Sequence, residues 1–165
     1  MKIIFLEFDG VLNSDCYFLK RNRNMRELKL FEIYPRNEEE RLIQWHLYNL
    51  DLDNIDILKD IVIETGAKIV VISNWTKLKC FKGIRKELNK IGIPIIDCIS
   101  EESAKEEGIN NYLLTHEVDN YVIIDSKILE NGNSDLLKHL IVTKLNDSGL
   151  MEEDANEVKK LLKKR

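Results

Sequence analysis

The apolar run Ile3–Phe8 leads into Glu7-Phe8-Asp9-Gly10, the run Lys68–Ile72 leads into Ser73-Asn74, and Tyr121–Ile124 leads into Asp125-Ser126. Carboxylates and a hydroxyl placed this way are the raw material of ligand binding and proton transfer. In an open α/β sheet, ligands bind outside the carboxyl ends of the strands. A single polar residue at a strand end says little. Three strand ends that bring carboxylate, hydroxyl and carboxylate to one rim say much more.

The elements that must position them are readable in outline. The short runs Ile3–Phe8, Lys68–Ile72, Ile93–Ile99, Tyr121–Ile124 and Leu140–Val142 are rich in Ile and Val and do not strictly alternate. Strands buried on both faces of a parallel sheet read this way. Between them, Leu52, Ile55, Leu58, Ile61 and Val62 recur at helical spacing before Gly66. Helices are also expected over 76–91, 101–115 and 152–164, the last opening on acids and closing on lysines in accord with the helix dipole. Strands alternating with helices predict a doubly wound α/β sheet in a single domain over 1–165.

Residues 14–50 break that rhythm, because a βα connection is ordinarily about 2–6 residues long. The segment carries six aromatics (Tyr17, Phe18, Phe31, Tyr34, Trp45, Tyr48) and a basic cluster of Lys20, Arg21, Arg23, Arg26 and Lys29. It reads as an insertion packed over one end of the sheet. It could hold a nucleic-acid substrate through cations and stacked rings. The alternative, slightly favoured, is a satellite core with solvated charges, since Glu38–Glu40 share the segment.

Composition narrows the field. Apolar residues make up 44% and charged residues 33%, within the soluble globular range. With 25 Lys+Arg against 29 Asp+Glu, the net charge of −4 gives no global basic field for nucleic acid. The N-terminus has neither a signal-peptide apolar stretch nor the about 20 apolar residues of a membrane span. The three cysteines Cys16, Cys80 and Cys98 form no CxxC pair. These features predict a soluble protein of the reducing cytoplasm with no membrane partner.

IIFLEFDGVLN resembles the first motif of the haloacid dehalogenase (HAD) superfamily, an apolar strand followed by Asp-x-Asp-Gly. KIVVISNW is similar to its second motif and YVIIDS to its fourth, and they occur in the family's order. The Ser-Asn-Trp, the Lys before an INNYL helix and VTKLNDSGL further resemble HAD domains of RNA repair proteins. The resemblance implies a HAD-like Rossmannoid fold, a parallel sheet flanked by helices, with a small lid-like insertion after strand one. It also implies a Mg²⁺-dependent phosphatase acting on a phosphorylated small molecule or a nucleic-acid end. Glu7 would be the nucleophile, and Asp9 would protonate the leaving group and then activate water. Ser73, Asn74 and Lys105 would hold the phosphate, Lys105 also neutralising charge, and Glu7, Asp9 and Asp125 would bind the metal, Asp9 also through its backbone carbonyl. Positions i and i+2 of a strand share a face, so Glu7 and Asp9 can address one phosphate if the extension persists.

Two positions depart from the family pattern. The usual nucleophile is Asp where this chain has Glu7, and many relatives carry a second acid where this chain has Ser126. The first departure keeps a second reading open, a catalytically impaired phosphate-binding or interaction domain on the HAD scaffold. A phosphoacceptor receiver domain uses similar groups, but in an order that does not fit. Lys86, Lys90 and Arg85 compete with Lys105 for the cationic role, and Ser73 could serve as a helix cap. His46, His116 and His139 lack metal-ligand spacing, and the thiols lack an activating context.

Overall fold

Lys2–Leu6 forms β1, with Ile3 and Phe5 packed on one side and Ile4 and Leu6 on the other, all buried. This two-sided burial explains the unbroken apolar run, since a strand with helices on both faces has no solvent side. The computed structural model describes residues 1–17, 35–99, 104–129, 134–144 and 147–163. In chain order these form β1, α1 (Glu38–Leu47), α2 (Leu52–Thr65), β2 (Lys68–Val71), a 3-10 turn (Asn74–Lys77), α3 (Phe81–Lys90), β3 (Ile95–Cys98), α4 (Lys105–Thr115), β4 (Asn120–Asp125), α5 (Ser134–Lys138), β5 (Leu140–Val142) and α6 (Glu152–Lys163). The five strands form one sheet in the order β3-β2-β1-β4-β5, and every pair is parallel.

The sheet divides the core in two. On one face Ile4, Leu6, Ile69, Val71, Val122 and Ile124 pack with α1, α2, α3 and α6. On the other, Ile3, Phe5, Val70 and Ile123 meet Ile109 and Tyr112 of α4 and Leu136 of α5. The predicted α/β class therefore holds. Local signals account for the boundaries. Asp51 caps α2 by accepting from the Asp53 amide at 3.0 Å, and Gly66 ends it in the left-handed region at φ 68°.

Two local expectations change. The helix read over 76–91 is instead a 3-10 turn followed by α3, because the Ser73 carbonyl takes both the Thr76 amide and the Thr76 hydroxyl and the backbone is extended again at Leu78. The segment 14–50 contains α1, which starts where Asn37 accepts the Glu40 amide at 2.8 Å. Ile43, Leu47 and Leu50 join the main core rather than a satellite one, while Trp45 faces solvent. Phe18, Phe31, Tyr34 and the basic cluster from Lys20 to Lys29 lie outside the described residues.

Gly149 ties the end of the chain beneath the turn after β1. Its φ is +69°, and a Cβ there would stand 2.7 Å from the Val11 carbonyl oxygen and 2.6 Å from Asn54 Nδ2. That same carbonyl accepts from Leu150 N at 2.9 Å and from Asn54 Nδ2 at 3.0 Å. Gly149→Ala should cost about 2 kcal/mol or more in urea unfolding, from left-handed strain and displacement of this junction. A loss below about 0.5 kcal/mol would contradict the crowding.

Candidate active site

The parallel register carries two acids to the same place. Leu6 of β1 pairs with Ile124 of β4, and the Glu7 amide still donates to the Ile124 carbonyl at 3.0 Å. Glu7 thus continues the Ile3/Phe5 face and Asp125 the Ile123 face, both toward α4. Lys105, the first residue of α4, meets them there. Its ammonium bonds Glu7 Oε2 at short range and Asp125 Oδ2 at 2.9 Å. Both carboxylates are almost completely buried and the lysine is mostly so. This is the gap between β1 and β4, where the strand order reverses and open α/β sheets bind ligands.

Burial alone would depress the Lys105 pKa. The hydrogen bonds it donates to Asp125 and Glu7, with their negative charges, outweigh it and hold the value above the ordinary 10.5. The remaining oxygens are also engaged. Glu7 Oε1 accepts the Phe8 amide at 2.9 Å and the Asp9 amide at 3.4 Å, and Asp125 Oδ1 accepts the Lys127 amide at 3.0 Å.

Asp9 is held by a different set of groups. The extension does not persist, because the Phe8 carbonyl accepts the Val11 and Leu12 amides and Gly10 turns at φ 79°. Asp9 Oδ1 accepts from Asn13 Nδ2 and from Trp75 Nε1, each at 3.0 Å. Asn13 is buried, and its Oδ1 also takes the Gly10 amide at 2.8 Å, so one side chain fixes both the turn and the carboxylate. Glu7 and Asp9 share a rim but not a set of hydrogen-bond partners.

The other expected residues divide. Ser73 is fully buried and its hydroxyl accepts the Trp75 amide at 3.3 Å, so it caps the 3-10 turn. Asn74 is exposed and accepts from Lys77 at 3.2 Å. Of the competing cations, Arg85 Nε donates to the Ile95 carbonyl at 3.1 Å and Lys90 pairs with Glu87 at 2.7 Å, whereas Lys105 reaches both acids. Ser126 stands over the turn, its hydroxyl donating to the Asp9 carbonyl at 2.9 Å. Buried Thr143, on the β5 side, donates to the Gly10 carbonyl at 2.7 Å.

Asn13, Trp75 and Thr143 escape sequence reasoning as site residues. Each nevertheless lies inside a motif that carries the resemblance: Asn13 ends IIFLEFDGVLN, Trp75 ends KIVVISNW and Thr143 stands in VTKLNDSGL. The three cysteines are free, and among the described residues no helix is long and apolar enough to cross a membrane.

Residues 3–155 match the family described as the HAD domain in Swiss Army Knife RNA repair proteins. The chain belongs to this family. The match runs from β1 into α6 and so takes in every residue of the site just described. At the level of the superfamily, the HAD domain is that of hydrolases and phosphatases. No curated protein and no solved structure matches the chain.

A titratable aromatic ring borders the candidate site at Trp75. The His46 ring of α1 lies 5.0 Å from the Trp75 ring, centroid to centroid. Burial lowers its pKa below 6.5, and the charge of Asp9 pulls it part of the way back. Since the folded value lies below the unfolded one, the neutral ring's contribution to stability is present above about pH 6.5 and is lost as the pH falls through the folded value. An NMR titration should place the His46 midpoint below 6.5, and Asp9→Asn should lower it further. An unmoved midpoint in the variant would mean that the Asp9 charge does not reach the ring.

Proposed function

We propose that this HAD domain hydrolyses a phosphomonoester in two steps through an acyl-phosphate on Glu7. The observation that carries the reading is the meeting of Glu7, Lys105 and Asp125 at the sheet's reversal point, with Asp9 on the adjoining turn. A Glu7 oxygen attacks phosphorus while the bond from phosphorus to the ester oxygen breaks. The departing oxygen takes the proton of the Asp9 carboxyl group. Asp9, now a carboxylate, accepts a proton from water, whose oxygen attacks the same phosphorus and breaks its bond to Glu7. Inorganic phosphate leaves, and Asp9 is protonated again. Asn13 and Trp75 keep the Asp9 carboxylate oriented through both transfers. Lys105 supplies positive charge where the phosphoryl oxygens collect.

The donor set is compatible with Mg²⁺. Among the described residues no three acids, imidazoles or thiols stand together as a set of side-chain metal ligands, so the protein would contribute the Glu7 and Asp125 carboxylates and the Asp9 carbonyl. Oxygen donors completed by water and phosphate suit a hard cation. The buried pair already gathers around a cation, the Lys105 ammonium. When bound, Mg²⁺ would neutralise phosphoryl charge. The proposed substrate is a nucleotide or a nucleic-acid end, a reading supported by the RNA repair setting of the family.

The test is hydrolysis of p-nitrophenyl phosphate with and without Mg²⁺ by the native chain and by Asp9→Asn. Turnover should require Mg²⁺ and fall about 10²–10⁴-fold in the variant, the usual worth of a positioned general acid–base group. Equal rates in the two proteins would overturn the role of Asp9. One observation favours a second reading: Glu7 stands at the nucleophile's position with both oxygens already engaged, which suits a domain that binds phosphate without cleaving it. Saturable phosphate binding with no turnover on any phosphoester would select that reading.

A further inference from the structure

A row of aromatic rings leads from the Asp9 carboxylate to solvent. Trp75 donates to Asp9 and lies edge-on to buried Phe8, with ring centroids 5.2 Å apart at 74°. The His46 ring crosses Trp75 at 60°, and the Trp45 ring stands 4.8 Å from His46 at 80°. Trp45 is 56% exposed on the last turn of α1, whose apolar face, Ile43 and Leu47, is already spent on the core. A tryptophan turned outward at this point contributes little to the core. A bicyclic ring left half-exposed at the end of a row that starts on Asp9 offers a stacking surface instead.

We infer that Trp45, backed by His46, is the stacking platform for the nucleobase adjoining the phosphate cleaved at Asp9. The inference rests on the phosphatase reading and assigns the residue that holds the base of its substrate. The group that Asp9 would protonate is the leaving oxygen, so whatever that oxygen is attached to emerges on the Asp9 side of the site. From there the rings of Trp75, His46 and Trp45 follow at steps of 5.0 and 4.8 Å. A planar base meets a planar face at the end of the row, while an alkyl chain has no π-face to stack there. Stacking accepts any base, so the platform would select for a nucleotide end and not for sequence.

The experiment compares a short 3′-phosphorylated oligonucleotide, glycerol phosphate and phenyl phosphate on the native chain, Trp45→Ala and Trp45→Phe. The alanine variant should lose about tenfold or more in kcat/KM on the oligonucleotide, the size of one lost base stack, and be unchanged on glycerol phosphate. The phenylalanine variant should recover most of the loss. A binding readout runs alongside: the oligonucleotide should quench tryptophan emission saturably in the native chain and not in Trp45→Ala, which retains Trp75. Quenching by the oligonucleotide without hydrolysis of any substrate would keep the platform and remove the phosphatase reading. Absence of quenching, or an equal loss on all three substrates in Trp45→Ala, would overturn the platform. Quenching by phenyl phosphate as strong as by the oligonucleotide would overturn the assignment of its occupant as a nucleobase.

Discussion

Lys105→Met should destabilise the protein by about 3–5 kcal/mol at neutral pH, the usual cost of removing one partner from a buried ion pair. Methionine keeps most of the length and the helix propensity of lysine, so α4 itself has little reason to fray. What changes is the charge. Glu7 and Asp125 lie almost wholly buried against one ammonium, and without it two carboxylates face each other across β1 and β4. Acidification should return part of the loss, because a proton on either carboxylate ends the repulsion. Millimolar Mg²⁺ should return part as well, by more than it stabilises the native chain, where Lys105 competes for the same oxygens. Urea unfolding at several pH values, with and without Mg²⁺, reads all three effects. A loss below about 1 kcal/mol would show that the pair is worth no more than a surface contact.

The native chain should respond at the opposite end of the pH scale. Its folded form holds the Lys105 proton more tightly than the unfolded form, because the folded pKa is raised above 10.5. The stabilisation is therefore complete below about pH 10.5 and is lost as the pH rises through the higher folded value. In Lys105→Met that alkaline component should be absent.

The second large effect concerns Glu7 as the nucleophile. Glu7→Asp should raise kcat on p-nitrophenyl phosphate by about 10²-fold, since a 1 Å misplacement of reacting groups costs on that order. The extra methylene of Glu7 shifts its carboxylate by about 1.5 Å along the side chain. In the native chain that carboxylate is folded back, Oε1 onto the amides of Phe8 and Asp9 and Oε2 onto Lys105. Aspartate is too short for the same embrace and would present an oxygen from nearer the strand, as the family pattern has it. Steady-state kinetics of the two proteins at saturating Mg²⁺ decide the matter. If the glutamate form is the faster one, its longer reach is part of the working geometry and the pattern's aspartate is the misfit. Activity in the aspartate form alone would make residue 7 the lesion in an otherwise competent phosphatase.

Much of this architecture is legible in the chain itself because it is governed by local pattern. The five Ile/Val-rich runs specify strands buried on both faces, and the capping residues Asp51 and Gly66 specify where α2 begins and ends. The acids at the ends of β1 and β4 are legible for the same reason, as are the ordered motifs that tie the chain to the HAD superfamily. α1 is less legible, since it lies inside an insertion whose aromatic and basic content masks the short signal Asn37-Glu38-Glu39-Glu40.

The partnerships at the site were decided by tertiary structure, because they join residues far apart in the chain. Lys105 is 98 residues from Glu7, Trp75 is 66 from Asp9, and Thr143 is 133 from Gly10. No spacing rule links such positions. They meet because β1 takes the centre of the sheet between β2 and β4, and the parallel register brings each strand's carboxyl end to one rim. The alternation of a strand predicts that Glu7 and Asp9 share a face. The turn at Gly10 cancels that prediction, sending Asp9 toward Trp75 and Asn13 while Glu7 stays with Lys105 and Asp125. The residue types at the rim follow from the amino-acid sequence. Which acid meets which cation follows from the strand order and from one glycine's positive φ, and neither can be counted off along the chain.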